Sequence, residues 1–314
     1  MLASFALSLS LALATAFACT GRTTTPADSA AGDDSATSDG GGSVTPDLGC
    51  PVGALAQAMG RVSGDQVLEA SGLALSRRQP GVLWTHNDSG DTARVFALDS
   101  TGQVVGEVQI AGANAHDWED MAVGPGPDGG DALYMGDIGD NGSSRDDIHV
   151  WVVPEPEAID GTASATGIRL HYPDQAHDAE ALLVDPLSGD LYIITKIIDG
   201  HSLVFRAAAP LGAEMTLEQV ADLALAGRDG ISVPLATAAD VSPDGSCVYL
   251  RTYGDVVAWE RDPATPLHEA FAGTLLSMAA AAEPQGEAIA AADFGYWTLS
   301  EGKGAMLYRY QVGS

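Results

Sequence analysis

Residues Glu180-Ala-Leu-Leu-Val-Asp-Pro-Leu-Ser-Gly-Asp-Leu-Tyr-Ile-Ile-Thr-Lys196 form an apolar run, a Pro/Gly turn and a second run of aromatic and β-branched residues. Two such runs around a tight turn read as a β-hairpin. The pattern recurs. Glu119-Asp-Met-Ala-Val-Gly-Pro125 precedes the turn Asp128-Gly-Gly and then Ala132-Leu-Tyr-Met-Gly-Asp137. Thr237-Ala-Ala-Asp-Val-Ser-Pro243 precedes Asp244-Gly-Ser and then Val248-Tyr-Leu-Arg-Thr-Tyr253. Ser71-Gly-Leu-Ala-Leu-Ser76 with Val82-Leu-Trp-Thr-His86 is a fourth copy, and Glu287-Ala-Ile-Ala-Ala with Gly295-Tyr-Trp-Thr-Leu-Ser a looser fifth.

A third strand follows each hairpin: Arg94-Val-Phe-Ala-Leu, Ile148-His-Val-Trp-Val-Val, Leu203-Val-Phe-Arg, Val256-Val-Ala-Trp-Glu and Met306-Leu-Tyr-Arg-Tyr. The repeats start at residues 71, 119, 180, 237 and 287, at intervals of 48, 61, 57 and 50. Propeller blades recur at about 40–50 residues, so these intervals suit blades with added loops. An all-β propeller of five blades is expected. The long second and third repeats leave room for a sixth blade, and a β-sandwich with unrelated hairpins is the competing architecture. The fifth copy runs out after three strands, so the segment Met59 to Gln66 is expected to supply its outer strand and close the ring.

The domain is expected to span residues 49–314. Before it, Leu2 to Phe17 are apolar or small and lead into Ala16-Phe17-Ala18-Cys19, the pattern of a secretory signal over residues 1–18. The basic residue that usually precedes such a segment is missing; Arg22 is the first. Two cleavage readings compete: Ala16-x-Ala18 suits ordinary signal peptidase, while a small residue before Cys19 suits lipid attachment at that cysteine. With Cys19 lipidated, Cys50 and Cys247 remain as an even pair that an oxidising compartment would join; two free thiols are the alternative. Residues 19–48 are Thr, Ser, Asp, Gly, Ala and Pro without an aromatic residue, the composition of a disordered spacer. The expected location is the cell envelope, anchored through lipid, or else secretion.

The formal charge of −29, from 14 Lys and Arg against 43 Asp and Glu, argues against nucleic acid and against anionic membrane surfaces. It suits binding of cations. In a propeller the first strand of each blade lines the channel, so Ser71, Glu119, Glu180, Thr237 and Glu287 are expected there. The ends of the second strands are expected to add Asn87 and Asp88, Asp137, Lys196, Arg251 and Asp293. Converging carboxylates raise one another's pKa unless a cation or base compensates. Ca²⁺, which takes oxygen ligands, is the expected cofactor, held by Glu119, Glu180 and Glu287. Lys196, Arg251, Asn87, Asp88 and Asp137 are the expected ligand-binding set. The bland alternative is a channel plugged by Glu–Lys and Glu–Arg pairs.

Ala115-His-Asp-Trp-Glu-Asp120 is echoed by Ala176-His-Asp-Ala-Glu-Ala181. Strand alternation puts Asp117 with Glu119, and Asp178 with Glu180, on one face and the histidines on the other, which disfavours a zinc site. No hydrolase elbow and no phosphate-binding Gly-rich loop is present.

Ser71-Gly-Leu-Ala, Trp84-Thr-His-Asn-Asp-Ser-Gly-Asp91, Asp117-Trp-Glu-Asp120, Gly136-Asp-Ile-Gly-Asp-Asn141 and Asp178-Ala-Glu-Ala181 resemble a group of bacterial secreted propeller proteins over residues 68–314. More distantly, the blade pattern is similar to phytase-like, SdiA-regulated and SMP-30/NHL propellers. The phytase-like resemblance implies Ca²⁺ and phosphate-ester hydrolysis, for which only Lys196 and Arg251 offer positive charge. The SMP-30-like one implies a lactonase metal held by Glu119, Glu180, Glu287 and Asn87. Three functions are thus expected in competition: a tethered, monomeric module binding a small molecule or an extracytoplasmic protein or glycan; a metal-dependent hydrolase; and a purely structural domain.

Overall fold

A computed structural model describes residues 49–197 and 199–312. The expected signal segment, Cys19 and the spacer up to residue 48 lie outside the described residues. The described chain is a five-bladed propeller.

In chain order the strands are β1 (Leu55–Arg61), then β2 (Ala70–Leu75), β3 (Val82–Asn87), β4 (Arg94–Asp99) and β5 (Val104–Ala111) of the first blade. There follow β6 (Trp118–Pro125), β7 (Asp131–Asp137), β8 (Ile148–Pro154), β9 (Gly161–Ser164) and β10 (Thr166–His171). Next come β11 (Ala179–Val184), β12 (Leu191–Thr195), β13 (His201–Ala207), β14 (Glu214–Thr216) and β15 (Glu218–Ala224). The fourth blade holds β16 (Ala236–Val241), β17 (Cys247–Thr252), β18 (Val256–Glu260) and β19 (Leu276–Met278). The fifth holds β20 (Gly286–Ala292), β21 (Gly295–Ser300) and β22 (Met306–Gln311).

Its fourth strand is β1, which pairs antiparallel with β22 from Leu55↔Gln311 to Arg61↔Met306. The ring is therefore closed by an N-terminal strand that begins a few residues earlier than the sequence suggested. A disulfide joins Cys50, just before β1, to Cys247 on β17, so the closing strand of blade 5 is also fastened to blade 4.

The long repeats do not hide a sixth blade. Their extra residues are β9, which adds in parallel to β5 of blade 1, and β14, which adds in parallel to β10 of blade 2. Each long repeat thus lends a fifth outer strand to the blade before it.

Inner and second strands such as Ala-Glu-Ala-Leu-Leu-Val and Leu-Tyr-Ile-Ile-Thr are buried along their whole length. The reason is that each blade is covered on both faces. Among the described residues the apolar core falls into five clusters, one between each pair of neighbouring blades. Leu182, Ile193 and Phe205 of blade 3 meet Tyr134 and Val150 of blade 2, and Leu73 and Phe96 of blade 1 meet Ala290 and Leu299 of blade 5.

Candidate functional site

Every inner strand carries a β-bulge at the same place. Pairing between β6 and β7 skips from Trp118↔Asp137 to Asp120↔Gly136, leaving Glu119 unpaired. The skips in the next three blades leave out Glu180, Thr237 and Glu287, and in blade 1 Ser71 and Gly72. A bulge inserts a residue and turns its side chain out of the alternation of the strand. This is the device that aims one residue per blade at the axis.

Glu119, Glu180 and Glu287 line one central cavity of about 100 Å³, with Ser71, Asp88 and Lys196. Glu69, Asn141, Tyr253, Gln285 and Glu301 complete the polar lining. Six acids thus face one base.

The second-strand contribution follows a register rule. Ala70↔Asn87, Trp118↔Asp137, Ala179↔Thr195, Ala236↔Thr252 and Gly286↔Ser300 are equivalent pairs, so the residue just beyond each faces the mouth. These are Asp88, Lys196, Tyr253 and Glu301, while blade 2 has the buried Ile138 there and sends in Asn141 instead.

Four expectations fail on that rule. Asp293 sits in the turn between β20 and β21, at the opposite end of the blade. Arg251 lies two residues short of Tyr253 and is buried against Glu283, its Nη2 2.6 Å from Oε2. Asn87 is spent on the backbone: its Oδ1 accepts from Leu68 and Glu69 N–H, and its Nδ2 donates to Gln66 O and Asp91 Oδ2. Asp137 accepts from Arg145 Nη1 at 2.9 Å and lines a neighbouring groove. Thr237, a bulge residue without charge, donates to Gly286 O.

Lys196 Nζ lies 2.5 Å from Glu180 Oε1 and 5.0 Å from the centre of the Tyr253 ring. Burial lowers the lysine's affinity for a proton, but Glu180 and Tyr253 more than restore it, and its pKa ends well above the ordinary value. Lys196 reaches Glu119 only through space: that carboxylate is 3 % exposed and has no hydrogen-bond or ion-pair partner among the described residues. Glu287 accepts from Gln285 Nε2 through Oε1, while its buried Oε2 has no partner among the described residues. Desolvation raises all these acids, Asp88 to about 6, Glu180 to about 7 and Glu287 to about 8. Glu119 is raised well above its ordinary value by the same cause, helped by Glu180, Asp88 and Asp117.

One oxygen each of Asp88, Asp117 and Glu119 lies within 4.8 Å of the others. A single Ca²⁺ at about 2.3–2.6 Å from each oxygen spans that spacing, with waters or ligand oxygens filling the rest of its shell. The tight carboxylate set is therefore Asp88–Asp117–Glu119, and Glu180 and Glu287 stand across the same cavity rather than in it. Alternation alone pairs Asp117 with Glu119; their meeting with Asp88 required the tertiary structure. Gly139 closes the set from the side, where a Cβ would collide with Glu119 Oε1 and Asp117 Oδ2. The two motif histidines face elsewhere. His177 is buried beside Tyr172 and Phe205 and pairs with Asp174, and His116 lines the neighbouring groove.

The residue after Glu119 in β6 is Asp120. It is fully buried, and its carboxylate accepts from Met121 N–H at 2.8 Å, Leu182 N–H at 2.9 Å and Ala239 N–H at 3.0 Å. One side chain of blade 2 so ties the inner strands of blades 3 and 4. Asp240 repeats the device toward Ala291 of blade 5.

Replacing Glu287 with Gln removes a desolvated acid whose Oε2 has no partner and keeps an acceptor for Gln285. A carboxylate raised in the folded state contributes stability below its unfolded pKa of about 4 and loses it as pH rises through the folded value. For Asp88, Glu180 and Glu287 that window runs from about 4 to about 8. Glu287→Gln is thus expected to raise the cation-free melting temperature at pH 8 and to leave it nearly unchanged at pH 5. Melting curves at the two pH values check this, and equal shifts at both would contradict it.

The sequence matches no protein-family model and no curated protein. Among solved structures it is similar to the β-propeller domain of Cps50 (Swd1) from Myceliophteria thermophila, at 11 % identity and a TM-score of 0.40, over 83 % of this chain and all of that one. It is also similar to a carbohydrate-active enzyme of family AA12 from Trichoderma reesei, at 9 % identity and a TM-score of 0.43, over 83 % of this chain and 96 % of that one. The likeness is one of general architecture.

Proposed function

We propose that this chain is an exported propeller, tethered at Cys19, that binds an extracytoplasmic ligand through a Ca²⁺ ion held by Asp88, Asp117 and Glu119. The observation that carries this is Glu119, a carboxylate almost wholly buried at a bulge, without a hydrogen-bond partner and within ion-sharing distance of two aspartates. Buried charges are ordinarily paired or bound to metal. A divalent cation meets that need, whereas Lys196 is already committed to Glu180. Tethering rests on the apolar, small-residue and spacer pattern of residues 1–48.

Phosphate esters fit the cavity poorly, because Arg251 is locked beneath Glu283 and Lys196 is the one base in the lining. A second reading, metal-assisted hydrolysis of a neutral ester or lactone, is favoured by Glu180 and Glu287, which titrate near neutrality and suit general-base work. A screen of lactone and ester substrates with Ca²⁺ separates the two: turnover abolished by Glu287→Gln means hydrolase, and none means binder.

The cation itself is tested by melting the protein in EDTA and then in excess Ca²⁺. Saturation at about one hundred times Kd stabilises by about 2.7 kcal/mol, or about 5–10 °C for a domain of this size. Glu119→Gln is expected to abolish that shift while the variant still folds. An absent shift in the unaltered protein removes the cation from the proposal.

A further inference from the structure

The central cavity, at about 100 Å³, has space for an ion and a few waters but not for the body of an organic ligand. Beside it, over blade 2, lies a groove of about 470 Å³, the size of a small-molecule site. The two are joined by one stretch of chain. Asp117 belongs to the carboxylate set and its N–H donates to Asp137 Oδ1 in the groove wall, while its neighbour His116 lines the groove. The 138–147 loop supplies Asn141 to the cavity and Arg145 to the groove. That loop is held in shape: Asp140 accepts from the N–H of Ser144 and Arg145, and Arg145 Nη1 donates to Gly139 O and Asp137 Oδ1.

The floor of the groove is aromatic. His149 and Trp151 alternate onto one face of β8 with ring centres 5.6 Å apart and planes 13° from parallel. Trp151 pairs with Gly167 of β10, where a Cβ would press into the indole, so the glycine lets the ring lie flat across the sheet. Around this strip the side chains of Asn114, His116 and Asp146 have no hydrogen-bond or ion-pair partner among the described residues. Three aspartates meet one arginine in the lining, so the groove is mildly acidic: Arg145 pairs with Asp137, Asp147 pairs with His149 and with Arg169 at the edge, and Asp146 is left over.

A flat aromatic strip ringed by free acceptors and donors, with one carboxylate left over to accept hydroxyls, fits a neutral polyhydroxylated ring. Such a ring offers an apolar C–H face to the aromatics and hydroxyls to Asp146, Asn114 and His116. An anion would meet Asp146 and Asp147, and a purely apolar ligand would leave the polar rim unsatisfied.

We infer that this groove seats a pyranose residue of a neutral saccharide, with hydroxyls of the adjoining part directed to the Asp88–Asp117–Glu119 set. The inference rests on the cation reading only for the direction in which the ligand runs.

The test is binding of the full-length protein to an array of neutral pyranose oligosaccharides in Ca²⁺, followed by calorimetric titration of a bound glycan. Trp151→Ala is expected to weaken binding by about tenfold and Asp146→Asn by about threefold. Both variants should keep the Ca²⁺ melting shift of the unaltered protein. Because Trp151 also packs against the apolar cluster of Val108 and Ile110, Asp146→Asn and His149→Ala carry the test if Trp151→Ala does not fold. Capture of no neutral saccharide, or affinity unchanged in these variants, overturns the inference. Saccharide binding that depends on Trp151 without any Ca²⁺ shift keeps the groove and removes the cation.

Discussion

Asp120→Ala is expected to lower the melting temperature by about 10 °C, from a loss of about 4 kcal/mol. The carboxylate is fully buried and accepts three backbone N–H groups, two of them from other blades. Truncation leaves the N–H groups of Leu182 and Ala239 buried without acceptors, and each unsatisfied group costs about 1–3 kcal/mol. Asn in this place keeps one oxygen toward Leu182 and Ala239 and turns an amide N–H₂ toward Met121, so about half the loss should return. Thermal unfolding of the three proteins decides the matter. A melting temperature within about 2 °C of the original in Asp120→Ala would mean that this buried carboxylate does not hold the ring.

Reduction of the Cys50–Cys247 disulfide is the second large effect. The bond closes a stretch of 197 residues and fastens the start of β1 to blade 4. Cross-linking across a long stretch stabilises by about 3–5 kcal/mol, chiefly by restricting the unfolded chain. β1 is mostly solvent-exposed and pairs with β22 along one edge, so it has little else to retain it. Paired Cys→Ala substitution is expected to lower the melting temperature by about 10 °C and to speed hydrogen exchange in β1 and β22 more than in blades 2 and 3. Uniform loss of protection across all blades would contradict closure by β1.

Much of this was legible in the chain because hairpins are local. The Pro/Gly turns after Val123, Val184 and Val241 mark the first two strands of three blades, and the aromatic third strands follow at short range. The bulge residues Glu119, Glu180 and Glu287 were legible as strand heads, though not as bulges, since a one-residue skip in register leaves no mark in composition. β9 and β14 were not legible: each is short, and each pairs in parallel with the preceding blade, which no local pattern specifies. That is why two long repeats suggested a sixth blade.

The same limit governs the site. Arg251 lies in β17 and Tyr253 just past its end, and only the register Ala236↔Thr252 shows that the tyrosine reaches the mouth while the arginine is buried with Glu283. Asp88, Asp117 and Glu119 come from two blades, and their spacing depends on how blade 1 packs on blade 2. Asn87 carried the right chemistry for a ligand but spends both ends of its amide on a turn.

The central claim is that the acidic mouth holds a divalent cation, and titration calorimetry with Ca²⁺ in two buffers of different ionisation enthalpy tests it most directly. Desolvation raises Asp88, Glu180 and Glu287 to about 6, 7 and 8 and holds Glu119 well above its ordinary value, so cation binding among these acids is expected to be coupled to proton release. Saturable binding is expected, with a buffer-dependent heat that reports proton release and an affinity that rises from pH 6 to pH 8. Heats that never saturate at either pH, or that are the same for the unaltered protein and Glu119→Gln, would contradict it.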